Sequence, residues 1–214
     1  MQSSRLLALA LAATALVAPA CKKDSTSPGT TVLVFVGTVN GTDGILSGAI
    51  TLNINGTVVT GSFDVVTPTV ASHALTGSYN TTSKALAATG GGYTFGGVFD
   101  GVDRMDGGMT GSATGTFVAK KDNNNTAQAF CGTFSGSDDG VFNFTVIGTT
   151  ISGTATTTSG TVIPLDGTMS GNNISIANPG GGSPLATGTR SGTAVTGTWN
   201  DGVGSGNWTG ARCN

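Results

Sequence analysis

Glutamate is missing from all 214 residues of the chain, and histidine occurs once. The 11 acidic residues are therefore all Asp, set against 9 Lys and Arg, and charged side chains make up only 9%. An ordinary globular domain carries roughly 25%. Helices draw on Glu, Lys and Arg for propensity and for ion pairs along their surfaces, so this scarcity excludes coiled coils and helical bundles. It also excludes a basic nucleic-acid-binding surface and a strongly charged disordered tail. Aromatics stand at 6%, and there are 6 Pro against 36 Gly. Glycine without a Pro-bearing three-residue period excludes collagen. Hydrophobic residues, at 37%, suffice for a thin core between short strands.

Met1–Ala20 places one Arg before an unbroken apolar run and closes on small residues, the layout of a secretory signal peptide. After it no apolar segment is long enough to span a bilayer. Ala18-Pro19-Ala20 leads directly into Cys21. This segment resembles the bacterial lipobox, in which Leu, a small residue and Gly or Ala precede a Cys; Ala18 stands where Leu is usual, and Pro19 departs at the middle. The resemblance covers the N-terminus alone. It implies a bacterial lipoprotein, cleaved after residue 20, acylated on Cys21 and hung from a membrane. Two or three acyl chains anchor stably where one does not, since each buried CH₂ contributes about 0.8 kcal/mol. Lys22, where Asp would retain an enteric lipoprotein at the inner membrane, implies delivery to the outer membrane. Losing Arg5 with the signal shifts the net charge from −2 to −3.

Residues 21–31, polar and small beyond the Cys, read as a flexible tether. A second polar stretch at 122–128 divides the remainder into 32–121 and 129–214, and the two halves match. Val36–Gly41 answers Cys131–Gly136, Val59–Phe63 answers Ile151–Ala155, Leu75–Tyr79 answers Leu165–Met169, and Thr114–Phe117 answers Ser205–Trp208. The matches run in one order at nearly constant offset, which predicts a tandem duplication. Within each copy, apolar residues alternate with polar ones, as in Ile50, Leu52 and Ile54, in Phe142, Phe144 and Val146, and in Val195, Gly197 and Trp199. Period two with one buried face marks β-strands. Asn-Gly, Asp-Gly and Gly-rich breaks at short spacing supply hairpin turns. The expectation is an all-β chain: two antiparallel up-and-down meanders, each of about eight short strands closing into a barrel, with two β-sandwiches as the alternative. Many small residues in short strands predict filled interiors.

Closure has a covalent test. Cys131 lies near the start of the second copy and Cys213 at its end, and period-two counting puts them on the faces opposite Phe134 and Trp208. With the aromatics inward, both sulfurs point outward and can join if first and last strands are neighbours. The rhythm of Gly-Thr-aromatic starts with Leu-Thr-Gly or Leu-Asp-Gly interiors is similar in architecture to avidin-like and lipocalin-like small barrels. The Trp- and Tyr-rich cavity of avidins has no counterpart here, so biotin binding does not carry over.

Catalytic groups are scarce. His73 follows Ser72 directly, and neighbours in a strand face opposite ways, so the pair reads as strand polarity rather than a hydrolytic triad. Asp100, Asp103 and Asp106 cluster near a turn as weak candidate ligands for a hard cation, although Arg104 sits among them and the spacing fits no calcium loop. Asp138 and Asp139 read as a hairpin. Trp199 and Trp208, with Gly197, Gly206 and Gly210 in phase, read as core packing or as a stacking platform for a ligand. No cofactor is expected. The function expected is non-enzymatic: a lipoprotein of the cell envelope, membrane-bound through its anchor, with a structural or binding role toward an envelope glycan or protein. The alternatives are an envelope polysaccharide hydrolase using paired Asp and a carrier of a small apolar ligand.

Overall fold

The computed structural model describes residues 32–122 and 124–214. The signal segment, Cys21 and the tether at 21–31 lie outside the described residues. Among the described residues every regular element is a strand: β1 Leu33–Gly41, β2 Ser47–Asn55, β3 Val58–Thr67, β4 Ala71–Tyr79, β5 Ala85–Gly90, β6 Tyr93–Phe99, β7 Arg104–Gly111, β8 Gly115–Lys121, β9 Gln128–Gly136, β10 Gly140–Ile147, β11 Thr150–Thr157, β12 Val162–Ser170, β13 Asn173–Ile176, β14 Ala186–Ser191, β15 Ala194–Asn200 and β16 Ser205–Arg212. They form two closed antiparallel barrels, β1–β8 and β9–β16, each in chain order. Closure leaves no free sheet edge. In the first barrel β1 pairs β8, with Val39 opposite Phe117; in the second β16 pairs β9, with Trp208 opposite Phe134. The turns are those the glycines dictate: Gly56, Gly148, Gly171 and Gly192 all take positive φ at hairpin tips.

The four matched segment pairs fall in equivalent strands, β1 with β9, β3 with β11, β4 with β12 and β8 with β16. Their glycines serve the same end. A Cβ on Gly61 would stand 1.9 Å from the Thr51 carbonyl oxygen, and one on Gly153 would stand 2.1 Å from that of Asn143. Neighbouring backbones approach too closely at these points for any side chain. The disulfide Cys131–Cys213 forms outside the second barrel, with Cα atoms 5.8 Å apart and a sequence separation of 82. It bridges the two strands whose pairing closes the ring.

The barrels pack side by side. Outward residues of β1 and β2 meet outward residues of β10 and β11, and polar groups tie the seam together. Asn143 donates through Nδ2 to Val39 O and to Asn40 Oδ1, and its Oδ1 accepts from Ser47 Oγ at 2.6 Å. Asn40 Nδ2 in turn donates to Thr154 O and Oγ1 at 2.8 and 2.7 Å. Asn40, Ser47 and Asn143 are all buried, so strand faces that alternation marks as solvent-facing are here covered by the other barrel.

Odd-numbered strands run away from the linker and even-numbered ones run back, and the two barrels share their orientation. The β1–β2 turn touches the β11–β12 turn, since a Cβ on Gly44 would stand 2.3 Å from Thr157 O. One end of the molecule therefore carries Val32, the linker and the even-to-odd turns. The other, here the far end, carries the β1–β2, β9–β10, β11–β12, β13–β14 and β15–β16 turns.

Candidate functional site

The two barrels differ in what fills them. Phe35, Phe63, Phe95 and Phe117 are fully buried in the first, and Met105, Met109, Leu52 and Leu75 occupy the space between. Edge-to-face contacts link Phe63 with Phe95 at 5.2 Å and Phe95 with Phe117 at 6.0 Å. This interior is filled, as small residues in short strands lead one to expect. The second is not. Its linker half is packed by Phe130, Phe144, Val146, Ile151 and Met169, but its far half encloses a cavity of about 330 Å³. The expectation of two filled interiors is therefore corrected for this barrel, and the cause lies in particular residues. Where β3 carries Phe63, the matching position of β11 is Ala155. Where β6 sends Tyr93, Phe95 and Phe99 inward, β14 offers Ala186 and Gly188. Rings missing from these positions leave space that the barrel cannot close, because its girth is set by strand number and stagger.

The cavity is apolar in its depth and polar at its lip. Phe134, Phe142, Ile163, Leu165, Trp199 and Trp208 face into it, and Asp138, Asn178 and Asp201 stand at the far-end turns where it opens. The aromatic walls brace one another: Phe134 meets Trp199 edge-on at 6.1 Å, and Phe142 meets Trp208 edge-on at 5.4 Å. Neither indole presents its N–H to the cavity. Trp199 Nε1 donates to Ser135 O and Trp208 Nε1 to Thr198 O, both at 3.2 Å. The rings lie over bare backbone, since a Cβ on Gly197 or Gly188 would stand 2.5 or 2.2 Å from Trp208. Core packing and ligand-wall roles, alternatives on the sequence, coincide: Trp208 is a buried core residue and a cavity wall together.

Asp201 caps its own turn, its Oδ1 accepting from Val203 N at 2.9 Å and Gly204 N at 2.6 Å. Those backbone N–H groups, Gly204's first, hold its carboxyl below the usual carboxylate range. Asp138 Oδ1 accepts from Asp139 N at 2.8 Å. The far-end turns of the second barrel contain no Lys or Arg. Among the described residues, Lys84, Arg104, Lys120, Lys121, Arg190 and Arg212 all lie at the linker end of the molecule.

The remaining candidates are dispersed. Asp100 Oδ1 accepts three backbone N–H groups, from Val102, Asp103 and Arg104, and these lower its pKa, Val102's most. Asp103 pairs with Lys120 at 3.3 Å and Asp106 with Arg104 at 2.8 Å. Each carboxylate thus has its own partner, and among the described residues no group of three His, Cys, Asp or Glu could hold a metal ion. His73 sits at the mouth of the first barrel beside Phe63 and Tyr93, with ring centroids 6.3 and 5.5 Å away. Ser72 points outward to Asp64. A second recess, of about 280 Å³, lies at the linker end of the second barrel, where Arg190 Nη1 is bound to Gln128 Oε1 at 2.7 Å.

Reading the sequence singled out the two tryptophans but missed the other walls and the acidic lip. Their signal was present in the mismatch between copies, Phe63 against Ala155, and in the long break at 177–185. No protein-family model matches the chain, and no curated protein matches it.

Proposed function

We propose that this chain is a binding protein of the bacterial envelope, hung from acyl chains on Cys21, whose second barrel holds a small apolar ligand. The observation that carries the reading is the aromatic-walled cavity of about 330 Å³ with a polar lip. That volume and lining are what small-molecule sites generally have. A fold with one barrel filled and its duplicate hollow divides the work: the first is a packed body, the second a container. Enzymatic readings draw no comparable support. Glycoside hydrolysis needs a carboxyl with a raised pKa, whereas Asp100 and Asp201 are both lowered by backbone N–H groups. The tether leads into the body next to Val32, at the end of the second barrel's companion opposite the far-end turns that carry the cavity mouth.

A neutral cage hydrocarbon, 1-adamantanol, is a suitable probe. The chain's 2 Trp both line the cavity, so intrinsic fluorescence reports on this site alone. Saturable change in the wild-type chain, and its loss in Ala155→Phe, which restores the ring that the first barrel carries, is the expected result. No change in the wild type, or equal binding by Ala155→Phe with its fold intact by circular dichroism, overturns the reading. Intact mass of membrane-extracted protein tests the anchor separately; an unmodified Cys21 removes it.

A further inference from the structure

The lip of the cavity and the charge layout of the whole molecule together say what head group the ligand carries. Inside, every wall residue named above is apolar or has its polar atom bound elsewhere, so the cavity selects for a hydrocarbon body. At the opening stand Asp138 in the β9–β10 turn and Asp201 in the neighbouring β15–β16 turn, with Asn178 in the β13–β14 turn. Both carboxylates accept backbone N–H through Oδ1, and for Asp201 the N–H groups of Gly204 and Val203 lower the carboxyl's pKa. Among the described residues, the second barrel's only Arg and Lys, Arg190 and Arg212, are at its opposite end. On the first barrel the same far end adds Asp43 in its β1–β2 turn and Asp64 toward the end of β3, again with no Lys or Arg. A ligand therefore meets a negative field on approach and again at its final position. Low-dielectric walls beneath the opening strengthen that field over its value in open water.

We propose that the cavity takes amphiphiles with a compact apolar body and a protonated amine head, and rejects the same body carrying a carboxylate. The inference rests on the cavity binding apolar ligands at all. On this reading an organic anion with the same body binds more weakly than the amine. The amine would sit between Asp138 and Asp201 at the lip, with the hydrocarbon against Trp199 and Phe134 below.

Three probes sharing one body test this on the full chain at neutral pH: 1-adamantanol, 1-aminoadamantane and adamantane-1-carboxylate, each titrated by tryptophan fluorescence. The expected order is amine, then alcohol, then carboxylate, with about tenfold between the charged extremes. The gap should narrow as salt screens the lip. Asp138→Asn and Asp201→Asn keep an Oδ1 acceptor for the same backbone N–H groups, so the turns survive, and each should weaken the amine by several-fold more than the alcohol. Binding of none of the three defeats the cavity as a ligand site. Binding of the alcohol with amine and carboxylate equal, or with carboxylate the tighter, leaves the cavity standing and overturns the head-group assignment. So does an amine preference that both Asn variants retain in full.

Discussion

Single residues in this chain are decided by what lies across the strand from them. Thr38, Thr145 and Thr156 each bury a hydroxyl that finds no hydrogen-bond partner among the described residues. All three face the seam between the barrels, where alternation in sequence promised water. A buried hydroxyl without a partner costs about 1–3 kcal/mol, whereas a methyl of the same shape costs nothing there. Thr145→Val should therefore raise the melting temperature, by about 2–4 °C for a chain of this size, read by calorimetry; a fall would mean the hydroxyl is satisfied. Glycine shows the opposite constraint. Gly61 and Gly153 were legible in sequence as matched positions of two copies, but their reason, a neighbouring backbone about 2 Å from where a Cβ would stand, belongs to the sheet.

The strand is the element that sequence exposes best here. Period two, hairpin glycines and the repeat between copies together marked antiparallel ribbons of about eight strands, and the closed order follows because a meander with one apolar face and no edge protection closes on itself. The short β13, Asn173–Ile176, and the long break after it were less legible, since the glycines at 180–182 interrupt the pattern that defines a strand. Closure of the second barrel is reinforced by Cys131–Cys213, which ties a separation of 82 residues. Such a crosslink stabilises by up to about 4–5 kcal/mol in the chain-entropy model. Mild reduction should lower the unfolding temperature of the second barrel. Its two tryptophans make this visible by fluorescence, and circular dichroism of the remaining strand signal should show the first barrel holding at higher temperature. Equal loss of both signals would place the crosslink's effect across the whole molecule.

At the scale of the molecule, two features arise from the way the barrels are set together. The first is the seam, in which Asn143 satisfies Val39, Asn40 and Ser47 at once. Replacing it by a residue that cannot be accommodated, Asn143→Arg, should part the barrels without melting them. An increased radius of gyration by X-ray scattering, with strand content unchanged, is the expected outcome; an unchanged radius would assign the contact to other residues. The second is polarity. Among the described residues, the six Lys and Arg gather at the linker end, and the charged residues of the far end are all Asp. Nothing in the linear order of charges shows this, because strands alternate direction and residues distant in sequence collect at one rim.

What the sequence determined by itself was local and periodic: strand character, turn positions, the duplication, and which face of each strand is apolar. The pairing of Cys131 with Cys213 also followed, because parity and ring closure leave the two sulfurs on neighbouring outer faces. Tertiary structure decided that one copy is packed throughout while the far half of the other stays open, although the substitution behind it, Phe63 against Ala155, stands in the sequence. Cavity volume is a sum over side chains from many strands, and replacing Phe63 by Ala155 in the repeat changes it without disturbing any local pattern. It decided as well that Asn143 and Thr145 lie in a seam rather than in water, since a strand's outer face does not encode whether another barrel will cover it.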